Sequence, residues 1–110
     1  MKVTYRQTSR DDVVRQFRYY LVELNLPKVA VRFKEAVRKT VWALSKQPAI
    51  APPYILRNPE LQKLRSWPMA GFETIRLYFL LENDSMRVIR ILHDKRDIRA
   101  ILERETPSQD

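Results

Sequence analysis

Residues 64–102 read LRSWPMAGFETIRLYFLLENDSMRVIRILHDKRDIRAIL and hold the only glycine, the only histidine and the densest run of β-forming residues in the chain. Leu64–Trp67 is a short extended piece ended by Pro68, Met69-Ala70-Gly71 makes a turn, and two long apolar runs, Phe72–Leu81 and Met86–His93, flank Asn83-Asp84-Ser85. Period-2 alternation puts Ile75, Leu77, Phe79 and Leu81 on one face of the first run, and Thr74, Arg76, Tyr78 and Leu80 on the other. A two-residue loop would set Arg90 on the Leu77 face, inside the expected core. A three-residue loop instead sets Ile91 and Ile89 opposite Leu77 and Phe79, and Arg90 opposite Tyr78. Burying an unpaired arginine costs far more than a change of turn, so the three-residue loop is expected. It leaves Arg76, Tyr78, Arg90 and Leu92 on a second face of the sheet. Beyond the strands, Asp94 is the expected cap of a short helix, with Asp97 as its capping-box acid and Ile98, Ile101 and Leu102 as its packed side. Thr106–Asp110 is expected to fray.

The preceding residues must cover this sheet. Lys2–Gln7 alternates Val3, Tyr5 and Gln7 against Lys2, Thr4 and Arg6, the pattern of a short strand. Thr8 or Ser9 offers an N-cap, Asp11 and Asp12 suit the first turn, and Val13, Phe17, Tyr20, Leu21 and Leu24 mark one apolar helix face. Asn25-Leu26-Pro27 stops that helix and starts a second, expected from about Pro27 to Gln47, with Val29, Phe33, Val37, Val41 and Leu44 as its core stripe. So short a connection makes an antiparallel αα-hairpin. Trp42 lies about 180° from Phe33 at 100° per residue, and Arg38 shares its side. Tyr19 is similarly off the stripe of the first helix. Two readings are open: lone exposed aromatics, common on any surface, or a partner groove built of the aromatic and arginine types that dominate interface hot spots. Four prolines between residues 48 and 60 mark an ordered surface loop.

Composition limits the chemistry. At 110 residues with 45% hydrophobic and 31% charged content, the chain is expected to be one globular domain. It has no cysteine, which removes disulfide and thiolate chemistry. The N-terminus shows no apolar leader and no run is long enough for a membrane span, so a cytoplasmic protein is expected. The net charge of +8 is concentrated in residues 1–50, where 11 Lys and Arg face 4 Asp and Glu. Such a field favours acidic partners, either nucleic acid or an acidic protein segment. One glycine cannot build a phosphate loop, and one histidine without cysteines makes no metal set. His93 is the only general base of ordinary neutral pKa, yet no supporting cluster surrounds it in the sequence, so it reads first as structural. Arg76, Arg90 and Tyr78 could hold phosphates or stack on bases, or the arginines could be paired with nearby acids.

The order strand, αα-hairpin, three-stranded antiparallel sheet and short helix, an α+β arrangement, carries three stretches together: LRSWPMAGF at 64–72, IRLYF at 75–79 and VIRILHDKRDI at 88–98. In that combination it resembles the RelE/ParE superfamily of bacterial type II toxins, and looks closest to the ParE branch over residues 1–110, with Asp94 where those proteins commonly have glycine. The resemblance implies a toxin that poisons DNA gyrase by binding, with no catalytic residue, cofactor or metal. It also implies hetero-oligomeric neutralisation by a ParD-like antitoxin, operator DNA being reached only through that antitoxin. Candidate target contacts are Arg76, Tyr78, Arg90, His93 and Arg96; candidate antitoxin contacts are Arg15, Tyr19, Arg38 and Trp42. The alternatives are a RelE-like ribosome-dependent mRNA endonuclease, or an inactive member serving only antitoxin binding and operon autoregulation. Arg76 and Arg96 resemble two RelE-type arginines, but Leu102 stands where the C-terminal tyrosine would be and Arg65 where a lysine pair would be.

Overall fold

Seven main elements make up the computed structural model, which describes residues 1–106; most of the tail expected to fray, 107–110, lies outside the described residues. They are β1 (Lys2–Tyr5), α1 (Gln7–Arg18, continued by a π-helical turn Tyr19–Glu23), α2 (Pro27–Lys46), β2 (Arg65–Met69), β3 (Phe72–Glu82), β4 (Ser85–His93) and α3 (Ile98–Glu103). The α+β class is as expected, but the N-terminal strand joins the sheet, giving four strands in the order β1-β4-β3-β2 with β1 parallel to β4. One face of the sheet packs Leu77, Phe79, Met86, Val88 and Ile91 against Phe33, Val37, Val41 and Leu44 of α2. Tyr20, Phe33 and Phe72 close this core as a ring triangle with centroids 5.6–5.7 Å apart. The other face is covered as well. Tyr78, Ile89 and Leu92 lie under Leu102 of α3 and under Leu56, Leu61 and Leu64 of the loop.

The hairpin differs from expectation. Glu82 pairs with Ser85, so the loop has two residues, Asn83-Asp84, with Asn83 at φ 53°. Asparagine tolerates that left-handed conformation, which tight hairpins require. A bulge beside Tyr78 and Phe79 then restores the pairing that the three-residue loop was to provide: Leu77 faces Ile91 and Tyr78 faces Arg90, but Phe79 faces Val88 in place of Ile89. Arginine is kept out of the first core by an extra residue in mid-strand instead of in the loop, and Ile89 is turned to the second core.

The start of α1 is governed by the edge of β4. Pairing with β1 stops at Tyr5 and Val88, after which the Arg6 N–H donates to the Val88 carbonyl at 2.9 Å. From there α1 serves the edge with side chains at i, i+4 and i+8. Thr8 Oγ1 donates to the Ile89 carbonyl at 3.4 Å, the Ile91 N–H donates to Asp12 Oδ2 at 2.9 Å, and Gln16 Nε2 donates to the Ile91 carbonyl at 2.9 Å. One helix face thereby replaces the missing strand. The strand is consequently shorter than Lys2–Gln7, and the helix begins at Gln7 with Arg6 at its cap position and no side-chain cap. Thr8 and Ser9 lie inside the helix, and Asp12 sits beyond the first turn. Leu21 and Leu24, expected in the core, are 38% and 43% exposed. The π turn, closed by the Leu24 N–H on the Tyr19 carbonyl at 3.0 Å, changes the angular advance of the helix and rotates them outward. Pro68 lies within β2 at a bulge, where a missing N–H is tolerated. Asp97 caps α3 by accepting the Ala100 N–H at 3.3 Å, a role expected of Asp94.

Asp12 is fully buried. Its carboxylate takes both Arg90 Nε (2.8 Å) and Arg90 Nη2 (2.9 Å), and Arg15 Nη2 at 2.8 Å. Arg90 Nη1 donates in turn to Glu105, which also pairs with Arg6 Nη1 at 3.3 Å. Removing one partner of such a group strands the others without compensation. Asp12→Ala is expected to cost about 3–5 kcal/mol, against under about 0.5 kcal/mol for Asp11→Ala on the surface, read as the drop in urea midpoint at unchanged slope.

Candidate binding surface and its basic clusters

The expected target residues do not form one face. Arg76 and Arg90 share the second face of the sheet with Tyr78 but are drawn to opposite edges: Arg76 Nε donates to Ser66 Oγ on β2 at 2.8 Å, while Arg90 is drawn to α1 and Glu105. Tyr78 is buried between them, its ring edge-on to Tyr54 at 5.3 Å. Burial works against the charged form of Arg90, but the hydrogen bonds and charges of Asp12 and Glu105 outweigh it and hold the guanidinium above its ordinary pKa. The second face expected to be open and basic is therefore a covered one, because α3 and the 54–64 loop bring enough apolar surface to seal it. Leu102, at the position where a RelE-like tyrosine would stand, is completely buried there. Arg65 Nη1 is tied to the Ala51 carbonyl at 2.6 Å.

His93 and Arg96 are placed differently, at the far end of β4 beside α1. The His93 Nδ1 lies between the Lys95 N–H at 3.1 Å and Asp94 Oδ1 at 3.2 Å. Arg96 makes no ion pair among the described residues. Its pKa is lowered by burial, then by the like charges of Arg15 and Arg90, with Asp12 pulling the other way. Both residues line a cleft of about 370 Å³ with Arg15, Gln16, Tyr19 and Tyr20.

Of the expected antitoxin residues, Trp42 and Tyr19 are 60% and 50% exposed. Arg38 is exposed and paired with Glu35 at 2.8 Å. Trp42 carries Lys46 Nζ 4.1 Å above its ring and faces a groove of about 690 Å³ bounded by Val3 and Tyr5 of β1 and by Arg38 and Val41. Adjoining hollows connect this groove to the cleft. One shares Tyr5 and Arg38 with it and adds Val13 and Val14; the next shares Val14 and adds Arg15, Tyr19 and Val22. The four named residues thus lie along one track over the hairpin, whose near end is the cleft holding His93 and Arg96. Sequence reasoning missed Val14 and Val22, which sit outside the apolar stripe expected of α1. It also missed Gln16 and Tyr20, for which polar residues at 8, 12 and 16 beside a strand edge were the available signal.

A helical hairpin with a basic, aromatic outer track, packed across a four-stranded sheet sealed on its second face by a short helix, defines a small α+β protein class. The family model described as "ParE toxin of type II toxin-antitoxin system, parDE" matches residues 3–98, and the chain belongs to that family. The structure titled "Chromosomal ParDE TA system from P. aeruginosa" aligns with a TM-score of 0.67 over 84% of this chain and 95% of that chain, at 15% identity, a likeness of fold. No curated protein matches the chain. Among the described residues no helix is long and apolar enough to cross a membrane.

Burial raises the phenol pKa of Tyr5, Tyr20 and Tyr78 above 10.0. In the unfolded chain these protons leave near pH 10, so the stability the three provide is complete below that pH and is lost as pH rises through their folded values. Alkaline difference absorbance should therefore show Tyr5, Tyr20 and Tyr78 ionising only above about pH 10, and the denaturant midpoint should fall as they do.

Proposed function

We propose that the chain arrests growth by binding DNA gyrase, and that a ParD-like antitoxin neutralises it by docking along the helical hairpin. The observation that carries the reading is that, of the positions resembling a RelE-type site, Arg76 is engaged on Ser66 and Leu102 is packed in the second core, which leaves only Arg96 of that set in the cleft. Cutting RNA requires a base for the 2′-hydroxyl and an acid for the leaving oxygen, and a guanidinium that keeps its charge is a poor base. The hairpin track, by contrast, presents apolar and cationic groups in contiguous hollows, which supports action through binding.

Purified protein is expected to inhibit gyrase supercoiling and to trap gyrase on cleaved DNA, while cell-free translation proceeds at the control rate. Codon-specific cuts in ribosome-bound mRNA, lost on Arg96→Ala, would establish the ribonuclease instead. For neutralisation, Arg38→Glu combined with Trp42→Ala should weaken antitoxin binding by at least about 2 kcal/mol, roughly thirtyfold. Unchanged affinity by calorimetry would remove the hairpin as the docking surface.

A further inference from the structure

The outer face of α2 carries charge that the fold does not use. Between Glu23 and Glu60 the chain holds seven Lys and Arg against one acid, Glu35. At 100° per residue, Lys28, Arg32, Lys39 and Lys46 fall within about 40° of one another, and the core residues Phe33, Val37 and Leu44 lie about 140–180° from Lys28. All four cations are exposed, and none has an ion pair among the described residues. Glu35 is turned to Arg38 at 2.8 Å, so it does not neutralise the row. Such a row works against the helix. Lys28 and Arg32 are like charges at i, i+4, and Lys28 stands in the first turn, where the helix dipole disfavours a cation and no acid compensates it. Between Arg32 and Lys39 the surface dips into a hollow of about 560 Å³, closed on its far side by the turn Ala70-Gly71. A Cβ at Gly71 would meet nothing within 4 Å, so the approach to the hollow is open.

A partner for this face must be anionic along a straight line and need no apolar seat. The row rises about 27 Å from Lys28 to Lys46 at 1.5 Å per residue. Duplex DNA is a stiff rail with one charge per about 1.7 Å of axis, and its turn of about 34 Å is longer than the row. The apolar residues exposed on α2, Val31 and Trp42, lie on the Arg38 side of the row, which itself has no anchor of the kind that holds a peptide. An acidic peptide would also have to be ordered over the whole length, a cost that a duplex does not incur. We propose that α2 packs its outer face on the phosphate backbone of duplex DNA. Lys28, Arg32, Lys39 and Lys46 each neutralise one phosphate, those of Arg32 and Lys39 lying at the hollow beside Gly71. The contact is with phosphates, so it is independent of base sequence. It belongs to the chain itself and passes through neither an antitoxin nor gyrase.

The test titrates the full chain alone into a fluorescein-labelled duplex of about 20 bp and reads anisotropy from about 50 to 200 mM salt. Four phosphate contacts set a slope of about −3.6 in log K against log salt, roughly a 150-fold loss over that range, and the same for two duplexes of unrelated sequence. With Lys28→Gln, Arg32→Gln, Lys39→Gln and Lys46→Gln combined, which keeps good helix formers on α2, the slope should shrink to under about 1 in magnitude. Lys2→Gln, Lys63→Gln, Lys95→Gln and Arg104→Gln together remove the same charge from exposed sites off the row and should leave the slope at about −3.6. Matched far-UV circular dichroism and urea midpoints show that both variants are folded. No binding at the lowest salt, a wild-type slope under about 2 in magnitude, a slope unchanged in the row variant, or equal losses in the two variants overturns the assignment. So does displacement of the duplex by poly-glutamate at equal charge, equal affinity for a single strand of the same length, or tighter binding of duplex RNA. Gyrase and antitoxin are absent from the titration, so its outcome is separate from that of the supercoiling and neutralisation experiments.

Discussion

The buried carboxylate of Asp12 ties together more of this protein than any other group. It closes the edge of β4 through the Ile91 N–H, neutralises Arg90 through two hydrogen bonds and anchors Arg15 at the rim of the cleft. Without it, Arg90 would have to be solvated, and the bulge that carries Arg90 out of the first core would lead it nowhere stable. The geometry is the one in which a buried ion pair is tolerable: bidentate, with the remaining lone pairs and donors given to Arg15, Ile91 and Glu105.

This arrangement explains why the sheet's second face is covered. Arg76 and Arg90 sit on neighbouring strands, but each is pulled toward a different partner, and the apolar residues between them are claimed by α3 and the 54–64 loop. Asn58 secures that cover, its side-chain nitrogen donating to the carbonyls of Leu102 and Glu105, each at 2.9 Å. Exposed chemistry is therefore displaced to the hairpin and to the end of β4, where Arg15, Tyr19, His93 and Arg96 meet.

Periodicity carried most of the fold because the α2 stripe and the β3 alternation are long enough to be unambiguous: Phe33, Val37, Val41 and Leu44 are buried, as are Ile75, Leu77 and Phe79. What periodicity could not reveal were departures from regularity. The bulge at Tyr78 and Phe79 and the π turn at Tyr19 each shift the phase by part of a period, and each moved residues across a boundary: Ile89 to the second core, Leu21 and Leu24 to solvent. The constraint on Arg90 was legible, but the sequence offers two ways to satisfy it and does not separate them. The site was less legible than the fold. Gln16 and Asp12 read as ordinary polar positions of a helix, and their importance arises only from a strand edge some 75 residues away along the chain.

The parallel pairing of β1 with β4 has a temporal consequence. Lys2 meets Ser85, and Asp12 meets Arg90 78 positions further along the chain, so residues made earlier find their places only after β4 has been made. At roughly 5–20 residues per second, β1 waits on the order of 4–16 s for its partner strand to be made. During that interval the edge and the cleft do not exist. Synthesis itself therefore delays the closing of the Arg6–Arg90 charge cluster until Glu105 has been added.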